Sequence, residues 1–182
     1  VTLGSLINND AVNQTDENGN NYVYVLGETT FKMGGQTVTS NTQLTSEAII
    51  DLYYYLDNWK DGSSVEEDNE KGGDGIPDCD QVLIKYVSSN SDRGTVSPDM
   101  EVLTIKDATT GNPINKGTVK ASGSTATATG SSRNYFSNWT NNAGLATSST
   151  AKLGQQTFTT EGGETYTFTA NFGYSGGGGS GG

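Results

Sequence analysis

The sequence predicts a mainly β protein made of two small modules, the first of which also contains one helix. Only 31% of the 182 residues are hydrophobic, below the roughly 45–50% that is typical of globular domains, even allowing for the glycines that the typical figure includes. Residues 165–172 alternate between aromatic or alanine side chains and Thr or Asn side chains, a pattern typical of a strand with one buried face. This composition favours thin, half-exposed sheets and argues against the deep core of an enzyme.

The negative charge is concentrated in one segment. Residues 57–80 contain nine carboxylates and two lysines, a net charge of −7 out of the chain's −11. Because nucleic-acid phosphates carry the same sign, we expect no nucleic-acid partner. A block of like charge repels itself and stays extended unless it is neutralised. We therefore interpret residues 61–80 as an acidic linker between modules at 1–60 and 81–174, and residues 175–182 as a flexible Gly/Ser tail.

The first module is predicted to contain short strands and one helix. Asp16–Asn20 contains Asn-Gly, which favours a hairpin turn, and the aromatic and β-branched residues 22–26 follow as a strand. Residues 31–33 and 36–39 flank Gly34-Gly35 as a second pair of strands.

The predicted helix covers about residues 46–58. Thr45 or Ser46 can cap its first turn, and Glu47 suits the positive end of the helix dipole. Apolar side chains follow at helical spacing, which predicts a core-facing stripe. These residues are Ile49, Leu52, Tyr53 and Leu56, with Trp59 extending the stripe.

The second module is β throughout by the same criteria. Turn sequences rich in Gly, Asn and Asp separate runs with strand composition. The predicted strands are residues 82–88, 101–106, 117–128, 134–139, 155–160 and 165–172.

Five short motifs occur in a characteristic order in this half. They are VLIKY at 82–86, GTVSP at 94–98, STATA at 124–128, YFSNWT at 135–140 and YTFTANF at 166–172. In this order they resemble the divergent internalin-B-type repeat, or B-repeat, of Gram-positive bacterial surface proteins. The resemblance implies a small β-grasp-like or sandwich-like module that acts as a stalk or adhesive segment and has no enzymatic activity. It also implies an extracellular location at the bacterial cell surface.

The acidic stretch DGIPD at 74–78 resembles the spacers that precede such repeats and the calcium loops of thrombospondin type 3 repeats. Calcium takes six to eight oxygen ligands in loops of this kind. With Gly75 as the central glycine, position 3 is Gly72 and the last position is the amide Gln81, so the motif departs from a full calcium loop. A solvated acidic linker is the alternative. The candidate Ca²⁺ ligands are Asp68, Glu70, Asp74, the carbonyl oxygen of Ile76, Asp78 and Asp80.

An internal Lys–Asn isopeptide bond is a second candidate, because surface β-modules sometimes carry one. Lys85 on the first strand and Asn171 on the last have a suitable topology, with Glu101 as the acid. Asn171 falls on the Thr face of its strand, which we interpret as exposed, so we do not expect the bond.

The remaining catalytic chemistries lack their residues. The chain has no histidine and one cysteine, which excludes imidazole zinc sites, Ser-His-Asp triads and disulfides within the chain. The acids lie in one run and not on opposed walls, so we do not expect a glycosidase. We expect no enzyme, an unreactive Cys79 and no membrane insertion, since no apolar run approaches the length of a span.

Three functional classes follow. The first is a structural or adhesive segment that binds a host or cell-surface protein or glycan. The second is a self-assembling filament subunit, pilin-like or from a phage fibre, in which residues 1–12 would complete the sheet of another copy. The third is a carbohydrate-binding module that uses Tyr53-Tyr54-Tyr55.

Overall fold

The computed structural model describes residues 1–7, 13–60 and 73–176 and is mainly β. In its N-terminal half, residues 1–60, the described strands are β1 (Asn13–Thr15), β2 (Asn21–Tyr24), β3 (Thr30–Met33), β4 (Gln36–Val38), β5 (Ala48–Asp51) and β6 (Tyr54–Leu56). In the C-terminal half, residues 81–174, they are β7 (Gln81–Ser88), β8 (Gly94–Ser97), β9 (Met100–Thr104), β10 (Lys116–Ala121), β11 (Ser124–Ala128), β12 (Asn134–Asn141), β13 (Lys152–Leu153), β14 (Gln156–Glu161) and β15 (Thr165–Tyr174). Short 3₁₀ turns occur at Gly4–Leu6, Leu26–Glu28 and Asp78–Asp80.

The N-terminal half contains two three-stranded antiparallel sheets, ordered β1-β2-β6 and β4-β3-β5. The predicted hairpin turn is confirmed, because the Asp16 carboxylate accepts the backbone hydrogens of Asn18 and Asn20 and β1 then pairs with β2. The second predicted hairpin is also confirmed, with β3 and β4 joined through Gly34 and Gly35. Both glycines have positive φ, which a residue with a side chain adopts at a cost.

The predicted helix at about 46–58 is wrong. Ala48–Asp51 is β5, paired with β3, and Tyr54–Leu56 is β6, paired with β2. The supposed core stripe is largely exposed, since Ile49 is 58% exposed and Leu56 is 42% exposed. β-branched and aromatic residues favour extended backbone. Residues 48–51 and 54–56 form backbone hydrogen bonds with β3 and β2. These tertiary contacts outweigh the helical signals of the N-cap and the apolar spacing.

The C-terminal half contains three sheets, ordered β12-β15-β7-β9, β10-β14 and β13-β11-β8. In the first of them, β15 and β7 run parallel at its centre, and β12 and β9 flank them antiparallel. All six strands predicted here are confirmed in type. The predicted strand at 117–128 is two strands, because the chain turns at Gly123, which has a φ of 91°. The short strands β8 and β13 were not predicted.

One hydrophobic core lies among these three sheets. The alternation predicted for the last strand is confirmed, since Phe168, Ala170 and Phe172 are buried. Trp139 packs edge to face on Tyr86, with ring centroids 6.3 Å apart. The buried members of this core are Val82, Ile84, Tyr86, Ile105, Val119, Ala121, Ala126, Trp139, Leu153, Phe158, Phe168, Ala170 and Phe172.

The strand β7 is buried on both of its faces. Val82 and Ile84 contribute to the core, so the alternation of a strand directs Gln81 and Leu83 to the opposite face of the sheet. Gln81 is fully buried there and Leu83 is 4% exposed. This second face of β7 begins at the acidic segment that joins the two halves.

Candidate functional site

The junction between the halves consists of residues 57–59, which follow β6, and residues 73–81, which lead into β7. Asp57 is 4% exposed. Its carboxylate accepts the backbone hydrogens of Asp74 and Gly75, at 3.1 and 2.8 Å. A residue that precedes the acidic linker therefore binds backbone near the linker's C-terminal end.

Asp78 makes the reciprocal contact. Its carboxylate accepts the backbone hydrogen of Asn58 at 2.9 and 3.1 Å, one distance to each oxygen, and that of Trp59 at 2.9 Å. Asp78 is 7% exposed. Hydrogen bonds from backbone amides to a carboxylate are stronger than those between neutral groups. We call this pair of interactions the Asp57–Asp78 clamp.

Gly73 lets the two segments of the clamp approach closely. Its φ is 66°, and a Cβ at this position would lie 2.7 Å from the Asp57 carbonyl oxygen. Its backbone N–H donates to the carbonyl oxygen of Asn58. A side chain at position 73 would therefore separate the segments that the clamp joins.

Each side of the junction is tied to its own half. Toward the N-terminal half, the Asp57 N–H donates to the Asn21 carbonyl oxygen, and the Asn21 N–H donates to the Asn58 side chain. Toward the C-terminal half, the Gly163 N–H donates to the Gln81 carbonyl oxygen. The backbone of Gly162 lies so close to Cys79 that a Cβ there would overlap the Cys79 carbonyl oxygen.

Gln81 extends the junction into the sheet. Its Nε2 donates to Asp74 Oδ2 at 2.6 Å and to Thr104 Oγ1 at 3.1 Å. Its Oε1 is buried and accepts no hydrogen bond. A buried carbonyl oxygen without a donor is unusual in folded proteins and costs free energy.

The buried carboxylates of the junction are electrostatically strained. Burial raises the pKa of Asp57 to about 6, and the neighbouring Asp74 charge adds to this, while the hydrogen bonds from Asp74 and Gly75 oppose it. Burial likewise raises the pKa of Asp78, against the hydrogen bonds from Trp59 and Asn58. Partial burial is the main cause of the raised pKa of the Cys79 thiol, and the Asp80 charge is the second. The reactive thiolate is therefore less populated.

The predicted calcium ligands are separated by these contacts. Asp68 and Glu70 lie outside the described residues. Asp74 Oδ1 accepts the backbone hydrogen of Ile76, Asp78 binds the backbone of residues 58 and 59, and Asp80 contacts the Cys79 thiol. Within the ranges that the structure describes, no three carboxylate or thiol side chains converge as a metal site would require. The described part of the loop therefore does not by itself supply a calcium coordination shell.

Sequence reasoning missed Asp57 and Gln81 as members of this site. Asp57 was counted only as the start of the acidic run, and Gln81 as a failed ligand at the end of a calcium loop. The available signal was the burial of the strand that Gln81 opens, since the apolar run 82–84 follows it directly. A polar side chain next to a buried strand requires hydrogen-bond partners.

The residues proposed for an isopeptide bond do not meet. Lys85 lies opposite Thr167 in the register of β7 and β15, four residues before Asn171, which is about 13 Å along a strand. The Asn171 side chain donates instead to Asn138 and Thr140. Asn171 is half-buried and not exposed as we predicted.

Glu101 belongs to a different buried cluster. It is 1% exposed, and its carboxylate accepts the backbone hydrogen of Ser122 at 3.0 Å and the hydroxyl hydrogen of Tyr86 at 3.3 Å. The Tyr86 hydroxyl in turn accepts the Gly123 N–H. Burial raises the pKa of Glu101. Tyr86 thereby connects the turn between β10 and β11 to the central sheet.

The three tyrosines proposed for carbohydrate binding do not form one surface. Tyr53 packs edge to face on Tyr55, with ring centroids 5.6 Å apart, whereas Tyr54 contacts Tyr24 across β2 and β6. Adjacent strand residues point to opposite faces. A cleft of about 530 Å³ lies beside them at the junction. It is lined by Tyr55, Leu56, Trp59, Asp78, Cys79, Asn115 and Gly163.

Comparison with known proteins identifies no relative: no protein-family model, no curated protein and no solved structure matches this chain. Among the described residues, none of the helices has the length and apolar character needed to span a bilayer.

Proposed function

We propose that this chain is a non-enzymatic structural or adhesive segment of an extracellular bacterial surface protein, in which the Asp57–Asp78 clamp holds two β-rich halves at a defined angle. The clamp is the observation that carries the proposal. Asp57 and Asp78 lie on either side of residues 61–72, and the partners of each carboxylate are backbone amides on the other side of that segment. Such an arrangement transmits orientation along a chain, which is what a stalk or adhesive segment needs.

The motif order in residues 82–172 supports the same class, because it resembles the B-repeat of surface proteins. The partner of the protein would then be a host or cell-surface protein or glycan. The known catalytic uses of carboxylates require them to face a substrate space. Here Asp57, Asp78 and Glu101 are all buried, and each accepts hydrogen bonds from backbone amides.

A calcium-stiffened junction is the second candidate. Burial is the main cause of the raised pKa of Asp57, and the Asp74 charge adds to it; a cation beside the two carboxylates would relieve their repulsion. Thermal unfolding with Ca²⁺ and with a chelator tests this. We expect Ca²⁺ to raise the midpoint and the variant Asp74→Asn to abolish the rise; an unchanged midpoint at millimolar Ca²⁺ would remove calcium from the proposal.

The filament alternative would use residues 1–12 to complete the sheet of another copy, and of these the structure describes residues 1–7. In this chain the backbone at the start is bound internally, since the Leu3 N–H donates to the Thr42 carbonyl oxygen and the Leu44 N–H donates to the Val1 carbonyl oxygen. Leu3 is fully buried. These contacts favour a stalk segment over a subunit that donates this strand. Light scattering discriminates the two, because a stalk segment remains monomeric and a filament subunit assembles.

A distance measurement between the halves tests the proposal directly. Spin labels at Thr37→Cys and Thr157→Cys, both exposed positions in opposite halves, in a Cys79→Ser background report the distance across the junction. We expect a narrow distance distribution. It should broaden when Asp57→Asn and Asp78→Asn are combined, and stay narrow in a control that combines Asp92→Asn and Asp99→Asn at exposed carboxylates. A broad distribution in the parent chain would refute a defined angle between the halves.

A further inference from the structure

Gln81, the first residue of β7, and Thr104, the last residue of β9, place an amide and a hydroxyl in contact. Gln81 lies directly opposite Thr104 in the register. The Ile105 N–H donates to the Asp80 carbonyl oxygen, so the alternation of antiparallel ladders makes Gln81 and Thr104 a non-hydrogen-bonded pair. Side chains in such pairs approach more closely than in the hydrogen-bonded ones. Here Gln81 Nε2 and Thr104 Oγ1 are 3.1 Å apart.

Three groups that acyl transfer requires therefore meet at one point. Thr104 supplies a hydroxyl nucleophile, Gln81 supplies an acyl carbon with an amide leaving group, and Asp74 supplies a carboxyl group 2.6 Å from the leaving nitrogen. A nucleophile next to a group that moves its proton is the general signature of covalent acyl chemistry. Full burial of Gln81 excludes water as a competing nucleophile.

We propose that Thr104 and Gln81 form an intramolecular ester that cross-links β7 to β9. Thr104 Oγ1 attacks Gln81 Cδ, which forms a C–O bond, and the C–N bond of the amide breaks. The hydroxyl proton passes across the 3.1 Å contact to the amide nitrogen, which the Asp74 carboxylate holds by a hydrogen bond, and the nitrogen leaves as ammonia. No oxidant, reductant or co-reactant enters the step, and the product differs from the starting chain only by the loss of ammonia.

The geometry needs one small adjustment before reaction. The amide nitrogen, and not the amide carbon, faces the hydroxyl, and one covalent bond separates the two atoms. The terminal torsion of glutamine has a broad energy profile, so rotation about it presents Cδ to Thr104 Oγ1.

Asn171 provides an internal comparison. Its Nδ2 lies 3.0 Å from Thr140 Oγ1, so an amide and a hydroxyl also meet there. However, its other contacts are the amide and backbone oxygens of Asn138 and the backbone oxygen of Thr169, and none of them can carry a proton between the hydroxyl and the nitrogen. We therefore assign the cross-link to Gln81 and not to Asn171. The cross-link would join the junction covalently to the outer strand β9 whatever surface the whole protein binds.

Mass spectrometry of the full chain tests the proposal. Under denaturing conditions we expect the intact mass to fall below the sequence mass by one molecule of ammonia. A tryptic digest should contain residues 72–85 joined to residues 94–106, and alkaline hydroxylamine should separate them. Loss of ammonia at Asn18-Gly19 through a cyclic imide would give the same intact mass, but it would not join these two peptides.

Substitution distinguishes the residues' roles. Thr104→Val removes the nucleophile with little change in shape, so its digest should lack the joined peptides. Asp74→Asn should slow the loss of ammonia, whereas Thr118→Val, at a hydroxyl pair on another sheet, should leave it unchanged. The measurement on the parent chain stands even if a variant fails to fold. An intact mass equal to the sequence mass after prolonged incubation of the folded parent chain would overturn the proposal, and peptides 72–85 and 94–106 that remain joined in Thr104→Val would overturn it as well.

Discussion

Asp57 and Asp78 each accept backbone hydrogens from the chain segment that carries the other. Asp57 precedes residues 61–72 and binds the amides of Asp74 and Gly75, whereas Asp78 follows them and binds the amides of Asn58 and Trp59. Two side chains thereby satisfy four backbone donors. Backbone hydrogens provide the positive charge that a cation would otherwise supply to these acids.

Removal of the Asp78 carboxylate should destabilise the folded chain. In Asp78→Ala the amides of Asn58 and Trp59 lose their acceptor, and leaving buried donors unsatisfied costs about 1–3 kcal/mol. Chemical denaturation measures the change in the free energy of unfolding. Asp99→Ala, at an exposed carboxylate of the same half, is the matched control and should shift stability by less than about 0.5 kcal/mol. Equal effects of the two substitutions would contradict the clamp.

Stability should depend on pH through Asp57. Its pKa is raised from 3.8 to about 6 in the folded chain, so between these values the folded state binds more protons than the unfolded state. Stability from this group is therefore present in full below pH 3.8 and is lost as the pH rises to about 6. Since other acids titrate nearby, the quantity to measure is the difference between the parent chain and Asp57→Asn in urea denaturation at several pH values. We expect the parent chain to lose stability relative to the variant across this window, and a constant difference would argue against the raised pKa.

Gly162 should tolerate no side chain. A Cβ there would overlap the Cys79 carbonyl oxygen, so Gly162→Ala must push the junction away from the turn after β14. Forced overpacking of this kind costs about 1–3 kcal/mol, which the thermal midpoint would reveal. Gly154→Ala is the control, because nothing lies within 4 Å of the added carbon. If both variants unfold at the same temperature, the close contact between residues 79 and 162 is not present in solution.

The hydroxyl of Tyr86 should contribute to stability while that of Tyr135 should not. Tyr86→Phe removes a donor to the buried Glu101 and the acceptor of the Gly123 N–H, which should cost about 1–3 kcal/mol. Tyr135 is 49% exposed, so Tyr135→Phe should leave the free energy of unfolding nearly unchanged. Comparable values from denaturation of the two variants would show that the Glu101 cluster does not stabilise the core.

Much of the β architecture could be predicted, because alternation and turn chemistry are local. Phe168, Ala170 and Phe172 share a face for that reason, and Asp16–Asn20 forms a turn because Asn-Gly suits one. The helix at 46–58 failed for the opposite reason. Its residues satisfy a cap and a helical spacing, but Ile50 lies opposite Phe31 and Tyr55 opposite Val23, and no local pattern reports such partners.

The candidate site was predicted only in its location. The concentration of acid in residues 57–80 was enough to identify the junction, but not which carboxylate binds which donor. Calcium binding by Asp68, Glu70, Asp74, Ile76, Asp78 and Asp80 stays a prediction. The contact between Gln81 and Thr104 depends on a strand register across 23 residues, which sequence periodicity does not specify.

The sequence by itself determined that this protein is mainly β, that it is strongly acidic at one junction and that it lacks histidine and disulfide chemistry. These properties depend on composition and on patterns within a few residues. Tertiary structure alone decided that residues 48–51 and 54–56 are strands, that Asp57 and Asp78 each bind backbone amides beside the other, and that Gln81 faces Thr104 and Asp74. The physical reason is that each of these arrangements is a balance between burial and hydrogen-bond partners that lie far away along the chain.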